Sequence, residues 1–99
     1  MYYAFVNGKI SPADKAVLSI NDLGLLRGYA VFDYMRTYKL KPFLIERHFS
    51  RLTNSAKTLA LKVPLSKDET EKTILDLISR GKLKDDVGIR FVLTGGITP

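Results

Sequence analysis

No cysteine occurs in this 99-residue chain, which excludes a disulfide framework and any thiolate metal site. Its single histidine, His48, leaves no histidine-rich zinc or iron cluster either. No apolar run approaches the ~20 residues of a membrane-spanning helix. The N-terminal MYYAFVNGKI also lacks the charged start and long apolar centre of a secretion signal. A cytoplasmic location with no membrane partner is therefore expected. Repeats and low-complexity tracts are absent as well, so nothing points to a solenoid or a linker.

What is present suits one domain over residues 1–99: 45% of the residues are hydrophobic, and a chain this short buries roughly 60 to 70% of its extended surface. Sixteen Lys and Arg against ten Asp and Glu leave a net charge of +6. Such a field favours anionic ligands or nucleic acid. The charge is scattered, however. Lys57, Lys62, Lys67, Lys72, Lys82 and Lys84 are interleaved with Glu and Asp, which describes a solvated surface better than a phosphate-tracking stripe. No nucleic-acid partner is expected, although a stand-alone module binding nucleic acid or another anionic ligand is the alternative from a different class.

The stretch from Phe43 to Leu61 organises the chain. Ile45, Phe49, Leu52, Ala56 and Leu59 recur at three- and four-residue intervals, and at about 100° per residue they form one apolar stripe of a helix. His48, Arg51 and Ser55 line the edge of that stripe. Glu46, Ser50, Thr53, Asn54 and Lys57 fall on the side expected to face water. Two readings of Arg51 stand side by side: its methylenes cover the core and its head goes to solvent, or its planar fork is held for a phosphate or carboxylate.

In chain order, Tyr2 to Val6 reads as a strand, Asn7-Gly8 as a two-residue hairpin turn, and Lys9-Ile10 as the start of the return strand. Val17 to Ile20 reads as a short extended piece. Asp22 to Gly28 is too glycine-punctuated for a stable helix and too apolar for an exposed loop, so it reads as a loop folded against the core. In the strand Val31 to Tyr38, alternation puts Phe32, Tyr34, Arg36 and Tyr38 on one face and Val31, Asp33, Met35 and Thr37 on the other. The aromatic face is either core or the wall of a pocket for a planar or apolar group. Lys39-Leu40-Lys41 turns the chain toward Pro42. Ser66 followed by Glu69 is a capping box opening a second helix that stops at Gly81. Asp85-Asp86 turns into a last strand, Val87 to Thr94, where Arg90 alternates with the packed Ile89, Phe91 and Leu93. Gly95 to Pro99 reads as a glycine-rich turn that leads nowhere.

Ser19-Ile20-Asn21-Asp22-Leu23-Gly24-Leu25-Leu26-Arg27-Gly28 ahead of Val31-Phe32-Asp33, then Glu46-Arg47-His48-Phe49-Ser50-Arg51-Leu52 and Ser55-Ala56-Lys57, resembles the N-terminal domain of class IV aminotransferases. These are fold-type IV pyridoxal-phosphate enzymes. The resemblance is collinear over nearly the whole chain and is closest in character to branched-chain amino acid aminotransferases, with D-amino acid aminotransferases and aminodeoxychorismate lyase as alternatives. It implies an α+β fold, a mainly antiparallel sheet covered by two helices, in the small N-terminal part of a longer two-domain enzyme. It further implies that Arg51 binds the cofactor phosphate, that Phe32 walls the substrate pocket beside Tyr34 and Arg36, and that Arg90 lies near the substrate carboxylate. His48 matches a recurrent histidine placed at most behind the residues that touch ligand. Asp33 stands where the family usually has Glu, and Arg27 where branched-chain enzymes often place an aromatic. The lysine that links to pyridoxal phosphate belongs to a second domain in the family, so no catalytic residue is expected in this chain, and the 99 residues alone are expected to be inactive. Amino acid and 2-oxo acid substrates and a homodimer are the partners implied.

Overall fold

The computed structural model describes residues 1–98. Strands β1 (Tyr3–Val6) and β2 (Lys9–Pro12) form the expected hairpin, with Asn7 and Gly8 both at positive φ in its turn. A short 3-10 turn follows at Ala13–Lys15. The segment Val17 to Ile20 joins neither sheet among the described residues.

Where a loop is expected, Leu23–Arg27 forms a short helix, α1. Its ends explain it. The Asp22 carboxylate accepts the Gly24 N–H at 2.7 Å and the Thr94 hydroxyl at 3.0 Å, and Gly28 closes the helix in the left-handed region at φ 64°. The glycines that argue against a helix thus bound it or sit in its first turn. Nor does the tail lead nowhere: the Leu23 N–H donates to the Gly96 carbonyl, the Thr98 N–H to that of Asn21, and Asp22 pairs with Ile97.

Strand β3 (Ala30–Tyr38) is the centre of a three-stranded antiparallel sheet, flanked by the two-residue β4 (Lys41–Pro42) and by β5 (Gly88–Thr94). One face is covered by helices α2 (Ile45–Thr58) and α3 (Lys67–Gly81). Met35, Ile45, Ile74 and Ile78 are the buried cluster between them, with Leu40, Leu83, Ile89 and Phe91 packed around it. Leu52 and Ala56 are buried on the α2 stripe, and Phe49 and Leu59 are half-buried. Thr53, expected toward water, is half-buried with its hydroxyl donating to the Phe49 carbonyl at 2.9 Å.

Helix α2 begins at Ile45, because Leu44 takes a positive φ of 58° that no helix continues through. The capping box of α3 forms as expected: Ser66 Oγ accepts the Glu69 N–H at 3.1 Å and Glu69 Oε1 accepts the Ser66 N–H at 2.9 Å. Lys67 then lies 3.6 Å from Glu46, tying α3 to the start of α2. Among the described residues no helix is long and apolar enough to cross a membrane.

Candidate functional site

The hydrogen-bond parity of β3 decides where its side chains and its free backbone groups go. The Thr37 N–H donates toward Val87 beside β5, whereas the Arg36 carbonyl accepts the Phe43 N–H on the β4 side. Odd-numbered residues of β3 therefore bond β5, and the backbone groups of Phe32 and Tyr34 point to the opposite edge. Beyond the Arg36 carbonyl and the Thr37 and Tyr38 pairs with β4, that edge is open among the described residues.

The side chains alternate in the complementary sense. Asp33, Met35 and Thr37 are buried beneath the helices, while Phe32, Tyr34, Arg36 and Tyr38 stand on the uncovered face. The aromatic face is therefore not core: Phe32 is 68% exposed. Across from it on β5, Val92 pairs with Phe32, Arg90 with Tyr34 and Gly88 with Arg36. Two shallow hollows result. One is lined by Ala30, Val31, Phe32, Arg90 and Val92, the other by Tyr2, Tyr34, Arg36, Asp86, Val87 and Gly88. Four of the sequence-derived candidates, Phe32, Tyr34, Arg36 and Arg90, thus share one surface, which offers flat apolar walls and two guanidinium groups.

Arg51 and His48 gather elsewhere, on the helix side of β3, around Asp33. The Asp33 side chain is almost fully buried, and Arg51 grips it side-on, Nε donating to Oδ2 at 2.6 Å and Nη2 to Oδ1 at 2.7 Å. His48 Nδ1 lies 3.0 Å from the same Oδ1, which also accepts the Tyr34 N–H at 2.7 Å. Arg51 Nη2 lies 3.2 Å from the same ring nitrogen, so Nδ1 donates to the carboxylate in one tautomer and accepts from the guanidinium in the other. The Arg51 guanidinium holds the Asp33 carboxyl well below the usual carboxylate range, outweighing burial, with the His48 and Tyr34 hydrogen bonds acting in the same direction. The Asp33 hydrogen bond raises Arg51 in turn.

Because the Tyr34 N–H points to the open edge, the Asp33 carboxylate that accepts it reaches that edge as well. The Arg51 side chain there is 60% exposed. Its Nη1 donates to no group among the described residues, so one guanidinium edge is fixed on protein and the other faces outward.

Sequence reasoning passed over three contributors. Asp33 was legible only as a departure from a family pattern, although a carboxylate on the core side of a strand needs a cation, and Arg51 and His48 flanked the facing stripe. Asp86 accepts the Thr37 hydroxyl at 2.9 Å and the Leu40 and Lys39 N–H groups at 2.7 and 3.2 Å, which fixes the turn at the end of β3. These bonds, the Leu40 amide foremost, lower its carboxyl. Gly88 leaves room for the Tyr34 ring. Among the described residues no lysine lines either hollow.

This α+β arrangement, an uncovered aromatic sheet face backed by two helices, is the architecture of the small N-terminal domain of fold-type IV pyridoxal-phosphate enzymes. Residues 30–99 match the family model for amino-transferase class IV, and the chain belongs to that family. It is 37% identical over 93 residues to a Methanocaldococcus jannaschii protein provisionally named a branched-chain-amino-acid aminotransferase, covering 94% of this chain and 32% of that protein. To the aminodeoxychorismate lyase of Bacillus subtilis it is 34% identical over 95 residues, covering 95% of this chain and 32% of the lyase. The T.th. branched-chain amino acid aminotransferase, solved with N-(5'-phosphopyridoxyl)-L-glutamate, superposes with a TM-score of 0.80 at 27% identity, covering 99% of this chain and 33% of that one. The chain therefore spans about a third of the length of these relatives.

Proposed function

We propose that this chain is the small domain of a pyridoxal-phosphate-dependent aminotransferase that moves an amino group between an amino acid, branched-chain in type, and a 2-oxo acid. The observation that carries the reading is the uncovered face of β3 and β5, where Phe32, Tyr34 and Val92 surround Arg90. Phe32 and Val92 give an apolar side chain an apolar wall. Arg90, in the closely spaced non-hydrogen-bonded pair with Tyr34, offers a cation to a carboxylate. Arg36 supplies a second positive group farther along the face. The likeness to an enzyme solved with a phosphopyridoxyl–glutamate compound supports the cofactor, and so does the donor set: the outward Nη1 edge of Arg51 suits one phosphate oxygen.

When bound, pyridoxal phosphate supplies the electron sink for amino-group exchange. The residues described here would bind and orient: Arg51 the phosphate, Arg90 a substrate carboxylate, Phe32 and Tyr34 the substrate side chain. In this reading the lysine that links to the cofactor belongs to a second domain of a longer enzyme, this chain is the N-terminal portion, and the 99 residues alone are inactive. The D-amino acid aminotransferase and aminodeoxychorismate lyase reactions are the alternatives within the family. Self-association as a homodimer belongs to the same reading.

The test is a pair of substitutions in the whole protein. Arg51→Ala should weaken pyridoxal-phosphate binding. Arg90→Ala should leave cofactor binding nearly intact and lower kcat/KM for a branched-chain donor roughly tenfold or more, as expected for a lost charge-assisted contact. Cofactor loss in Arg90→Ala, with Arg51→Ala unchanged, would overturn both assignments.

A further inference from the structure

Arg51 is reached by a long side chain from an exposed helix edge, and such a group ordinarily samples many rotamers. Here it does not hang free. Asp33 is buried beneath α2 and is itself fixed by the Tyr34 amide at 2.7 Å and by His48 at 3.0 Å. It then takes both Nε and Nη2 of Arg51, so the plane of the guanidinium is set by the strand rather than by its own helix. Of the guanidinium nitrogens only Nη1 is left outside this cluster, at the open edge of β3.

We propose that Asp33 is a positioning residue: it orients Arg51 side-on, so that the Nη1 edge is presented to an anionic oxygen arriving at the open edge of β3. The inference rests on the proposed role of Arg51 toward the cofactor phosphate, but it concerns a residue that touches no ligand. Its physical content is preorganisation. The ordering of the arginine is completed on folding, so an anion does not have to supply it on binding. The opposite possibility is equally concrete: an internal carboxylate could compete with the ligand for the fork and have to be displaced. Geometry favours positioning, because an anion can approach Nη1 without breaking either bond to Asp33.

The test uses the whole protein labelled with 15N-arginine and titrated with pyridoxal phosphate and, in parallel, with phosphate-free pyridoxal. In the wild type the Arg51 Nε–H resonance should be protected from exchange and should stay so when pyridoxal phosphate saturates the site. Release of that proton on saturation would mean Asp33 is displaced, and the proposal would fail without any variant being made. Asp33→Asn should lower pyridoxal-phosphate affinity roughly tenfold, leave pyridoxal affinity unchanged and lose the protected Nε–H signal, while Asp33→Glu restores part of each. If Arg51→Ala abolishes the preference for the phosphorylated ligand but Asp33→Asn keeps or strengthens it, the positioning role is overturned and the phosphate role of Arg51 survives. If Arg51→Ala leaves that preference unchanged, both fall together.

Discussion

The ring of Tyr34 lies across Gly88, two strands meeting where one has no side chain: a Cβ built on Gly88 would fall within the Tyr34 hydroxyl. The hydroxyl also lies 3.5 Å from Arg36 Nη1. Tyr34 therefore lies low against the sheet instead of standing up from it, and it separates the hollow around Phe32 and Arg90 from the one around Tyr2 and Arg36.

Gly88→Ala should lift that ring. The obstructing atoms are the far end of a mobile side chain, so the stability cost in a urea melt should stay within about 1 kcal/mol. The Tyr34 ring resonances should shift markedly nonetheless. A loss well above that bound, with the ring unmoved, would show that the strand rather than the tyrosine gives way.

Leu52 is buried on the stripe of α2, whereas Asn54 is exposed. Leu52→Ala should cost roughly 2 to 5 kcal/mol by cavity formation, and Asn54→Ala should stay within about 0.5 kcal/mol. Equal shifts of the denaturation midpoint would contradict the packing of α2 on β3.

Acid should find Asp33. Its carboxyl is depressed in the folded state relative to about 3.9 in an unfolded chain. The unfolded chain thus takes up protons first as pH falls, and the contribution of the pair is fully present above about pH 5 and drains away below pH 4. Glu69, lowered by its cap bonds to Ser66, and Asp86 act in the same direction. Urea midpoints measured from pH 6 to pH 2.5 should fall less steeply in Asp33→Asn than in the wild type; identical slopes would remove Asp33 from the account.

Ser66→Ala removes the acceptor for the Glu69 amide and breaks the reciprocal cap of α3. A loss of about 0.5 to 2 kcal/mol is expected, with amide exchange accelerated chiefly in the first turn of that helix.

The elements legible in the sequence were those whose cause is local. Ser66 and Glu69 cap each other across three residues, Asn7-Gly8 fits its turn, and the alternation in β3 assigns faces without reference to anything else. Which face was core required the helices: Phe32 and Tyr34 look more apolar than Asp33 and Thr37, yet the latter are buried because α2 and Asp86 bring them partners. Helix α1 was hidden for a similar reason. Its cap, Asp22, is completed by Thr94 from the far end of the chain, a relation no short window contains. The Asp33 cluster sits between these cases, its residues visible on their own elements and their meeting set only by how α2 lies on β3.

The open edge of β3 has one further consequence, for the behaviour of the protein in concentrated solution. A bare strand edge is a template on which another chain can add by pairing its own backbone. Here the Asp33 carboxylate already occupies the Tyr34 N–H, and a guanidinium stands beside it half in water. An incoming strand would have to strip solvent from a charged pair to reach the backbone groups that remain there. The side chains that hold Arg51 in place thereby also keep the sheet from growing, and loss of the pair should appear as fibril or oligomer formation in light scattering before it appears as unfolding.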